Sequence, residues 1–586
     1  MDFEHSPERD AYVQAHGKIV LNACPGSGKT TTIAYKLTRL TKDWEATHGK
    51  FVGIACLSFT NVAKDEINAK YSSFSGTVLP FPHIVSTIDS FVNRYITLPF
   101  YYLFLQSFST RPQILDDPSF MDALHFSHSI VTAAGKDGRK TNKLLQYSYP
   151  PSTIDTNLDG TYSSNAKRPA LAGENLATFN AYCKNVKSIQ YSKGWLKNSD
   201  SSFVALCLLR KYPRLAAILV RRFPYLIMDE AQDTSEVQYA IIDELIRGGL
   251  QDVELVGDPY QSLYEWREAR PDLFWERQNS TDWQNLGLNN CRRSTQNIVN
   301  CYSILRKASD APITSILKVE TQEPVTALFY NDPTALLEKY KDMSKNYTER
   351  TVLVRGGTHL DVFGAKPKHE SVWKMQPCLP HHLILGSFEL ESGQVRDAVG
   401  RVRLCLPMLI EPGCSVNRRR ELLDNIKTDP VWNAQIVRLL STLPCFDLSV
   451  AEWTEKVQTA TYSCLMIGTK ADFSLKQGSL RPKHKLPVRD LYRKSPNSDL
   501  VRTIHQAKGK TFDSVMLVLA ESNAGQNICL ANIETPINPP DEKKRMIYVA
   551  MSRPRYQLVL AMSKKSECTQ RSIRIALGPG VAIEEV

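Results

Sequence analysis

Residues 23–30 read ACPGSGKT, follow an apolar run at 18–22 and open a helical period at 30–40. A glycine-punctuated loop between a strand and a helix has the context that phosphate binding requires. Gly26 and Gly28 let backbone N–H groups turn inward on phosphate oxygens, and the helix N-terminus adds a favourable field. In such a loop Lys29 neutralises the β- and γ-phosphates and Thr30 holds Mg²⁺. Ala23, Cys24, Pro25, Ser27 and Thr31 complete the lining. A second stretch, residues 225–233 (YLIMDEAQD), ends an apolar strand on Asp229 and Glu230, the usual ligand position in an open α/β sheet. There Asp229 binds Mg²⁺ through water and Glu230 polarises the attacking water. Either stretch alone also fits a tight turn or a commonplace pair of acids; the two together point to nucleoside triphosphate chemistry.

Both segments lie in a chain that alternates strand-like and helical periods. Residues 18–22, 51–57, 225–228 and 253–256 read as strands, and 30–40 and 61–71 as helices. A second alternating block carries strands at 351–354, 514–519 and 557–561. Such alternation argues for parallel sheets covered by helices on both faces. Residues from about 97 to 215 are aromatic-rich, then loop-like, then helical over 204–219, and the basic stretch 481–494 reads as an exposed connector. The expected fold is α/β, with two parallel-sheet cores, each interrupted by a mainly helical insertion. The first core takes residues 1–96 and 212–283 around an insertion at 97–211. The second takes 284–357 and 497–586 around a reduced insertion at 358–496.

With 586 residues, 42% hydrophobic and 23% charged, the chain has the composition of an ordinary globular protein too long for one core. Its 72 Lys and Arg against 61 Asp and Glu leave a net charge of +11, which favours a polyanionic partner. The 13 Cys form no C-x-x-C pair, so neither structural zinc nor a disulfide framework is expected and a reducing cytoplasm fits best. The start, MDFEHSPERD, lacks the pattern of a signal peptide, and no apolar run approaches the ~18 residues of a membrane span.

Further segments carry a resemblance. Residues 255–269 (LVGDPYQSLYEWREA), 58–66 (SFTNVAKDE), 87–91 (TIDSF), 291–295 (CRRST), 503–509 (TIHQAKG) and 548–553 (YVAMSR) stand in an order similar to that of superfamily 1A DNA helicases of the UvrD/Rep type. The resemblance covers both proposed cores and implies that they are RecA-like, with ATP and Mg²⁺ held between them. It implies that Gln261 senses the terminal phosphate, Arg293 reaches the γ-phosphate and Arg553 is an arginine finger. It assigns single-stranded DNA, or a junction of single- and double-stranded DNA, to Phe59, Thr60, Asn61, Thr87, Tyr264, Trp266, Arg267, Arg355, His505 and Lys508. A base stacked on an aromatic side chain contributes roughly 1–3 kcal/mol whatever its identity, which suits sequence-blind movement. The activity implied is that of a DNA-stimulated ATPase and 3′-to-5′ helicase or translocase.

The chain also departs from that pattern. Arg9 stands where an adenine-reading Gln is expected, and Arg292 replaces an adenine-stacking Tyr. Lys510 and Thr511 follow Gly509 in place of the usual Leu-Glu, so that a ribose contact is missing. A base-tolerant nucleoside triphosphatase is therefore an open alternative. Asp89 and Glu268 place negative charge near the expected DNA path. Residues 386–388 and 395–397 look like an eroded motif, and 418–420 and 481–494 offer basic groups to duplex phosphates or simply to solvent. The AKGKT segment and compact insertion resemble UvrD-like subunits that accompany an OLD-family nuclease in anti-phage systems of the Gabija type. That likeness supplies a second reading: an ATP-driven sensor of DNA ends or gaps that licenses a nuclease partner and unwinds little.

Overall fold

A computed structural model describes residues 2–586 except 109, 116–117, 132–141, 166, 168, 264–268, 320–321, 366–367, 370, 375–377, 392, 415, 467–472, 494–496, 498, 523, 535–540, 565–569 and 579. The chain forms two compact units, Met1–Arg355 with Thr503–Val586, and Gly356–Arg502.

The larger unit holds two six-stranded sheets. The first is built from β1 (Lys18–Ala23), β2 (Ile54–Ser58), β3 (Ile84–Thr87), β4 (Tyr225–Met228), β5 (Asp252–Gly257) and β6 (Gln284–Leu288) in the order β6-β1-β5-β4-β2-β3, every pair parallel. The second contains β7 (Thr326–Tyr330), β8 (Arg350–Val354), β9 (Val501–Thr503), β10 (Phe512–Leu519), β11 (Pro554–Ser563) and β12 (Ala582–Glu585) in the order β9-β8-β10-β11-β7-β12. The expected α/β class with two parallel-sheet cores is what the chain adopts.

Burial on both faces explains the continuous apolar strands. Ile19, Leu21, Ile54, Cys56, Tyr225 and Ile227 pack with Ile33 and Leu37 of helix Lys29–Thr41 and Ile67 of helix Asn61–Ser75. Their alternating neighbours Val20, Ala55, Leu57, Leu226 and Met228 face a different cluster, with Leu206, Leu209 and Leu245. Strand periodicity of two thus sends successive side chains into separate layers. β2 begins at Ile54, later than the sequence suggests: Phe51 is 65% exposed, and Gly53 lies so close to the Pro82 carbonyl that a Cβ would approach it to 2.4 Å.

Between β3 and β4, within the stretch 97–211 expected to be a mainly helical insertion, helix Gly173–Ser192 follows the loop-like residues 148–169. It buries Phe179, Cys183, Val186 and Gln190 along one side. The helical stretch expected over 204–219 is two helices, Asn198–Lys211 and Pro213–Arg222, because Pro213 opens the second and holds Tyr212 out of helical geometry. Short strand pairs, Ser129–Val131 with Asn142–Leu144 and Ile154–Thr156 with Tyr162–Ser164, complete this segment.

The Gly356–Arg502 unit is mainly helical and packs Leu383, Val402, Leu439, Trp373 and Trp453 in its own core. Residues 481–494 are not a plain connector: Val488, Leu491 and Tyr492 are buried in that core. Among the described residues no helix is long and apolar enough to cross a membrane.

One ion pair in the first core is fully buried. Lys36 Nζ lies 2.5 Å from Glu254 Oε1, both side chains 0% exposed. Tyr12 donates to Glu254 Oε2 at 2.6 Å and Tyr225 also donates to this carboxylate, while Lys36 donates to the Tyr12 and Ala15 carbonyls at 2.8 and 2.7 Å. Replacing Lys36 by Met strands the carboxylate, so Lys36→Met is expected to destabilise the core by about 3–5 kcal/mol in denaturant titration. A loss below about 1 kcal/mol would show that the pair is not a structural requirement.

Candidate nucleotide and nucleic-acid site

The C-terminal ends of β1, β5 and β4 lie side by side, and each delivers part of one cluster. After β1, Gly26 and Gly28 take φ values of +74° and +85° in the loop before helix Lys29–Thr41. A Cβ at Gly26 would sit 2.4 Å from the Arg293 Cβ, so a side chain does not fit there, and the left-handed φ at both positions favours glycine. Cys24 N–H donates to the Leu288 carbonyl at 2.9 Å and Arg292 N–H to the Gly26 carbonyl at 2.9 Å, holding the loop against the end of β6 and the segment after it. The Thr31 hydroxyl accepts from Lys70 at 2.8 Å, and the Ser27 hydroxyl is buried without a partner.

β4 ends on Asp229 and Glu230. The Lys29 ammonium lies 3.4 Å from Glu230 Oε1. Glu230 has φ +54°, a left-handed value uncommon for a side-chain-bearing residue, and Gln232 donates to its other oxygen. Burial, and then the neighbouring Glu230 charge, raise the Asp229 carboxyl. Burial also works against the Glu230 charge, but Lys29 and then Lys508 outweigh it and hold that carboxyl low. The Lys29 ammonium is likewise disfavoured by burial, yet Glu230, Asp258 and Asp229 together raise its pKa. Asp229 Oδ1 accepts the Glu230 N–H at 3.0 Å, whereas Oδ2 is buried with no hydrogen-bond partner. An orphaned carboxylate oxygen at a strand end, together with the Thr30 hydroxyl at the loop's end, fits a hydrated divalent cation bound beside phosphates.

From β5 come Asp258 and Gln261. Gln261 Nε2 donates to Asp258 Oδ2 at 2.8 Å, and its Oε1 accepts from Arg553 Nη2 at 2.6 Å. Arg553 belongs to the second core, after helix Glu542–Met551, and also donates to the Val549 carbonyl at 2.9 Å. Arg293 donates to the Ser552 carbonyl at 3.1 Å. Burial, and then Arg293, lower the pKa of Arg553 to about 9; burial lowers that of Arg293. Lys29, Asp229, Glu230, Gln261, Arg293 and Arg553 are thus gathered in one buried, charge-dense place between the sheets.

Sequence reasoning gave Asp258 no role. It is 1% exposed, raised by burial, and touches Gln261, the Tyr260 N–H at 3.1 Å and the Tyr548 hydroxyl at 3.4 Å. Its signal was present: like Asp229, it follows an apolar strand directly. Lys508, assigned to DNA by resemblance, places its ammonium 2.6 Å from Asp233 Oδ2 and so ties the second core to the first. Arg545 adds a second tie, donating to the Ser262 carbonyl at 3.0 Å.

The remaining DNA candidates divide. Thr60 accepts the Ala63 N–H and Thr87 the Ser90 N–H, so both cap helices, while Phe59 is half-buried and Asn61 exposed. Asp89 is not simply a charge on an open path: one carboxylate oxygen accepts from Gln238 at 2.9 Å. Arg355 donates to the Gln526 carbonyl and side chain at 3.1 and 3.0 Å. His505 is pushed towards neutrality by burial and then by Arg355 and Lys508, and its Nε2 is buried without a partner. Gly509 takes φ +80°, and the following Lys510 carbonyl accepts from Arg553 at 3.5 Å. Tyr264, Trp266, Arg267 and Glu268 lie outside the described residues. In the smaller unit, Arg418 is paired with Glu411 at 2.9 Å and Glu421 at 3.2 Å. A groove of about 840 Å³ there, lined by Val395, Arg396, Val399, Arg403 and Val437 among others, includes two residues of the 395–397 segment but none of the residues expected to hold nucleotide or single-stranded DNA.

Comparison with known proteins matches residues 5–282 to the UvrD/REP helicase N-terminal domain and residues 490–565 to the UvrD-like helicase C-terminal domain, together more than half of the chain. Among relatives, the Gabija protein GajB of Bacillus cereus (strain VD045) is 25% identical over 341 residues, 54% of this chain and 55% of that protein. The ATP-dependent DNA helicase PcrA of Bacillus subtilis (strain 168) is 27% identical over 271 residues, 45% of this chain and 33% of PcrA. The ATP-dependent DNA helicase Rep of Buchnera aphidicola subsp. Schizaphis graminum (strain Sg) is 25% identical over 268 residues, 45% of this chain and 38% of Rep. The matched stretches therefore span between a third and little more than half of these relatives.

If the loop holds phosphate, Lys29→Met should leave the fold intact and weaken binding of a fluorescent nucleoside triphosphate at least about tenfold, since a buried charge-assisted contact of about 1.5–3 kcal/mol is lost. Unchanged affinity in the folded variant would remove the loop from nucleotide binding.

Proposed function

The chain belongs to the UvrD/REP helicase family, and from that premise we propose that it is a DNA-stimulated ATPase moving 3′ to 5′ along single-stranded DNA. One observation carries this reading: Lys29 pairs with Glu230 and is acted on by Asp258 and Asp229 of the first sheet, Gln261 joins Asp258 to Arg553 of the second, and Arg293 donates to the Ser552 carbonyl next to Arg553. The γ-phosphate of bound ATP would supply an anion to the two buried guanidiniums, for which no ion pair is formed among the described residues. In the proposed reaction Glu230, kept ionised by Lys29 and Lys508, orients and polarises the attacking water. Arg553 and Arg293 stabilise the charge that develops on the transferred phosphoryl group, a contribution typically worth about 10³–10⁵ in rate. Mg²⁺, held by Thr30 and through water by Asp229, would neutralise phosphate charge when bound.

Loss of the γ-phosphate removes the group that both arginines grip, and the two cores relax apart. Gln261 leads directly into Tyr264, Trp266 and Arg267, so the same short segment links nucleotide state to a DNA grip; Phe59, Thr60, Asn61 and Thr87 supply the grip on the first core, and Arg355 and His505 that on the second. The Lys508–Asp233 pair is the proposed mechanical tie between the halves. We place this activity in the cytoplasm.

The likeness to GajB supports a second reading, in which ATP turnover signals DNA ends or gaps to an OLD-family nuclease. Tailed duplexes separate the two: a motor displaces a strand from a 3′-tailed substrate, whereas a sensor hydrolyses ATP in the presence of DNA without displacement.

Single-stranded oligonucleotide should accelerate hydrolysis well beyond the protein alone, and apparent DNA affinity should fall with salt at a log–log slope of about −0.7 per neutralised phosphate. Hydrolysis indifferent to DNA would remove both readings. Glu230→Gln should reduce turnover by about 10³ or more while nucleotide affinity stays within about threefold of the unmodified protein. Residual turnover near the starting rate would show that another group activates the water.

A further inference from the structure

The groove of about 840 Å³ in the smaller unit lies between helices Val395–Arg403 and Pro430–Ser441. Each helix turns one side into the unit's core, Ala398 and Val402 from the first and Ile436, Leu439 and Leu440 from the second. The groove uses what that packing leaves over. Val395 and Val399 line it from the first helix, four residues apart, and Ala434 and Val437 from the second, three apart. Residues so spaced share one face of a helix, so each wall contributes an apolar stripe. Val395 is 47% exposed and Ala434 is exposed, which leaves the stripes open to solvent.

Three guanidiniums stand in the same lining: Arg396, Arg403 and Arg438. Arg403 Nη2 donates to Asn433 Oδ1 at 2.6 Å and so ties one wall to the other. Arg396 and Arg438 are exposed and form no ion pair among the described residues. No described residue of the lining is acidic. The nearby carboxylates Glu389 and Asp397 act instead on Arg401, which lies outside it. Positive charge without a counter-charge, set beside an apolar floor, complements a partner that is anionic and apolar at once.

We propose that this groove docks a short, acidic, amphipathic helix of a partner protein. Apolar side chains three or four residues apart on that helix fill the floor between the stripes, and flanking Asp or Glu meet Arg396, Arg403 and Arg438. The 12 residues of helix Pro430–Ser441 span about 18 Å, so the groove accommodates about three turns. Duplex phosphates would use the arginines but not the valines, because backbone recognition draws on charge and hydrogen-bond donors and needs no apolar floor. The lining includes no residue of the nucleotide cluster, and the docking surface stands whether or not the triphosphatase reading holds.

The test pans phage-displayed random peptides of about 12 residues, three helical turns, on the full chain. Recovered sequences should be acidic, carry apolar residues three or four apart, and bind as fluorescent synthetic peptides by anisotropy. Affinity should fall at least about tenfold when Arg396→Glu is combined with Arg438→Glu, and also when Val395→Ser is combined with Ala434→Gln. All four positions are exposed, so both double variants should keep the fold, which circular dichroism checks. Recovery of no peptide whose affinity depends on these positions would overturn the proposal, as would recovered peptides without acidic residues. Duplex DNA whose binding depends on the arginine pair but not on the apolar pair, with no acidic peptide recovered, would assign the groove to phosphates and also overturn it. So would self-association of the full chain, seen by light scattering, that either double variant abolishes, since a second copy would then be the occupant.

Discussion

Burying like charges beside each other is the constraint around which this molecule is arranged. Lys29 sits among Glu230, Asp258 and Asp229, while Arg293 and Arg553 lie close enough for the one to lower the pKa of the other. Gln261 is the neutral mediator, donating to Asp258 and accepting from Arg553. Charges in such surroundings persist only where each is paired and hydrogen-bonded. Here the carboxylates are balanced by Lys29, and the two arginines are held by carbonyl and amide oxygens. A polyanion entering between them would complete the balance, which is why the proposed chemistry lies at the junction of the sheets rather than within either one.

The sheet order makes this junction possible. β1 lies between β5 and β6, with β4 next to β5, so three strand ends that carry Ala23, Asp258 and Asp229 open on the same edge. Helix packing on both faces fixes these strands in depth: Ile33 and Leu37 hold the helix that begins at Lys29 against one face, and Leu245 and its neighbours cover the other. The Lys36–Glu254 pair anchors the same helix to β5 from within the core. The second sheet then needs few polar ties to the first. Lys508 to Asp233, Arg545 to the Ser262 carbonyl and the Tyr548 hydroxyl to Asp258 are set beside shared apolar packing of Cys24, Tyr260, Cys291 and Ile547.

Much of the fold was legible because parallel strands buried on both faces are dense in Val, Ile and Leu and are cut off sharply by polar residues. Tyr225–Met228 is the strand that its sequence suggests, and the helix after the phosphate loop starts one residue earlier than expected. What the sequence did not bound was polar and weakly patterned: helix Gly173–Ser192 lies in the expected helical insertion, but its buried Phe179, Tyr182, Cys183 and Val186 stand among many polar residues. Pro213 divided a run that periodicity alone joined, and tertiary burial of Leu491 and Tyr492 turned an apparent basic connector into part of a core.

The chemical identity of the loop and the acidic strand end was written in residue type, since glycine, lysine and adjacent carboxylates have little other reason to recur in a strand–loop–helix context. Residue type also sufficed to suggest two sheets and a polyanionic partner. Partnership was decided only by the tertiary structure. Nothing in the spacing of residues 233 and 508, 258 and 548, or 261 and 553 announces that they touch, because each pair is brought together by the docking of separate sheets. The position of Arg9 and Arg292 on a single carbonyl likewise depends on a segment 265 residues beyond Ser27 folding back to the loop beside the helix that precedes β1. Hydrogen bonds of this kind are set by distance and direction in space, and a linear order of residues encodes neither directly.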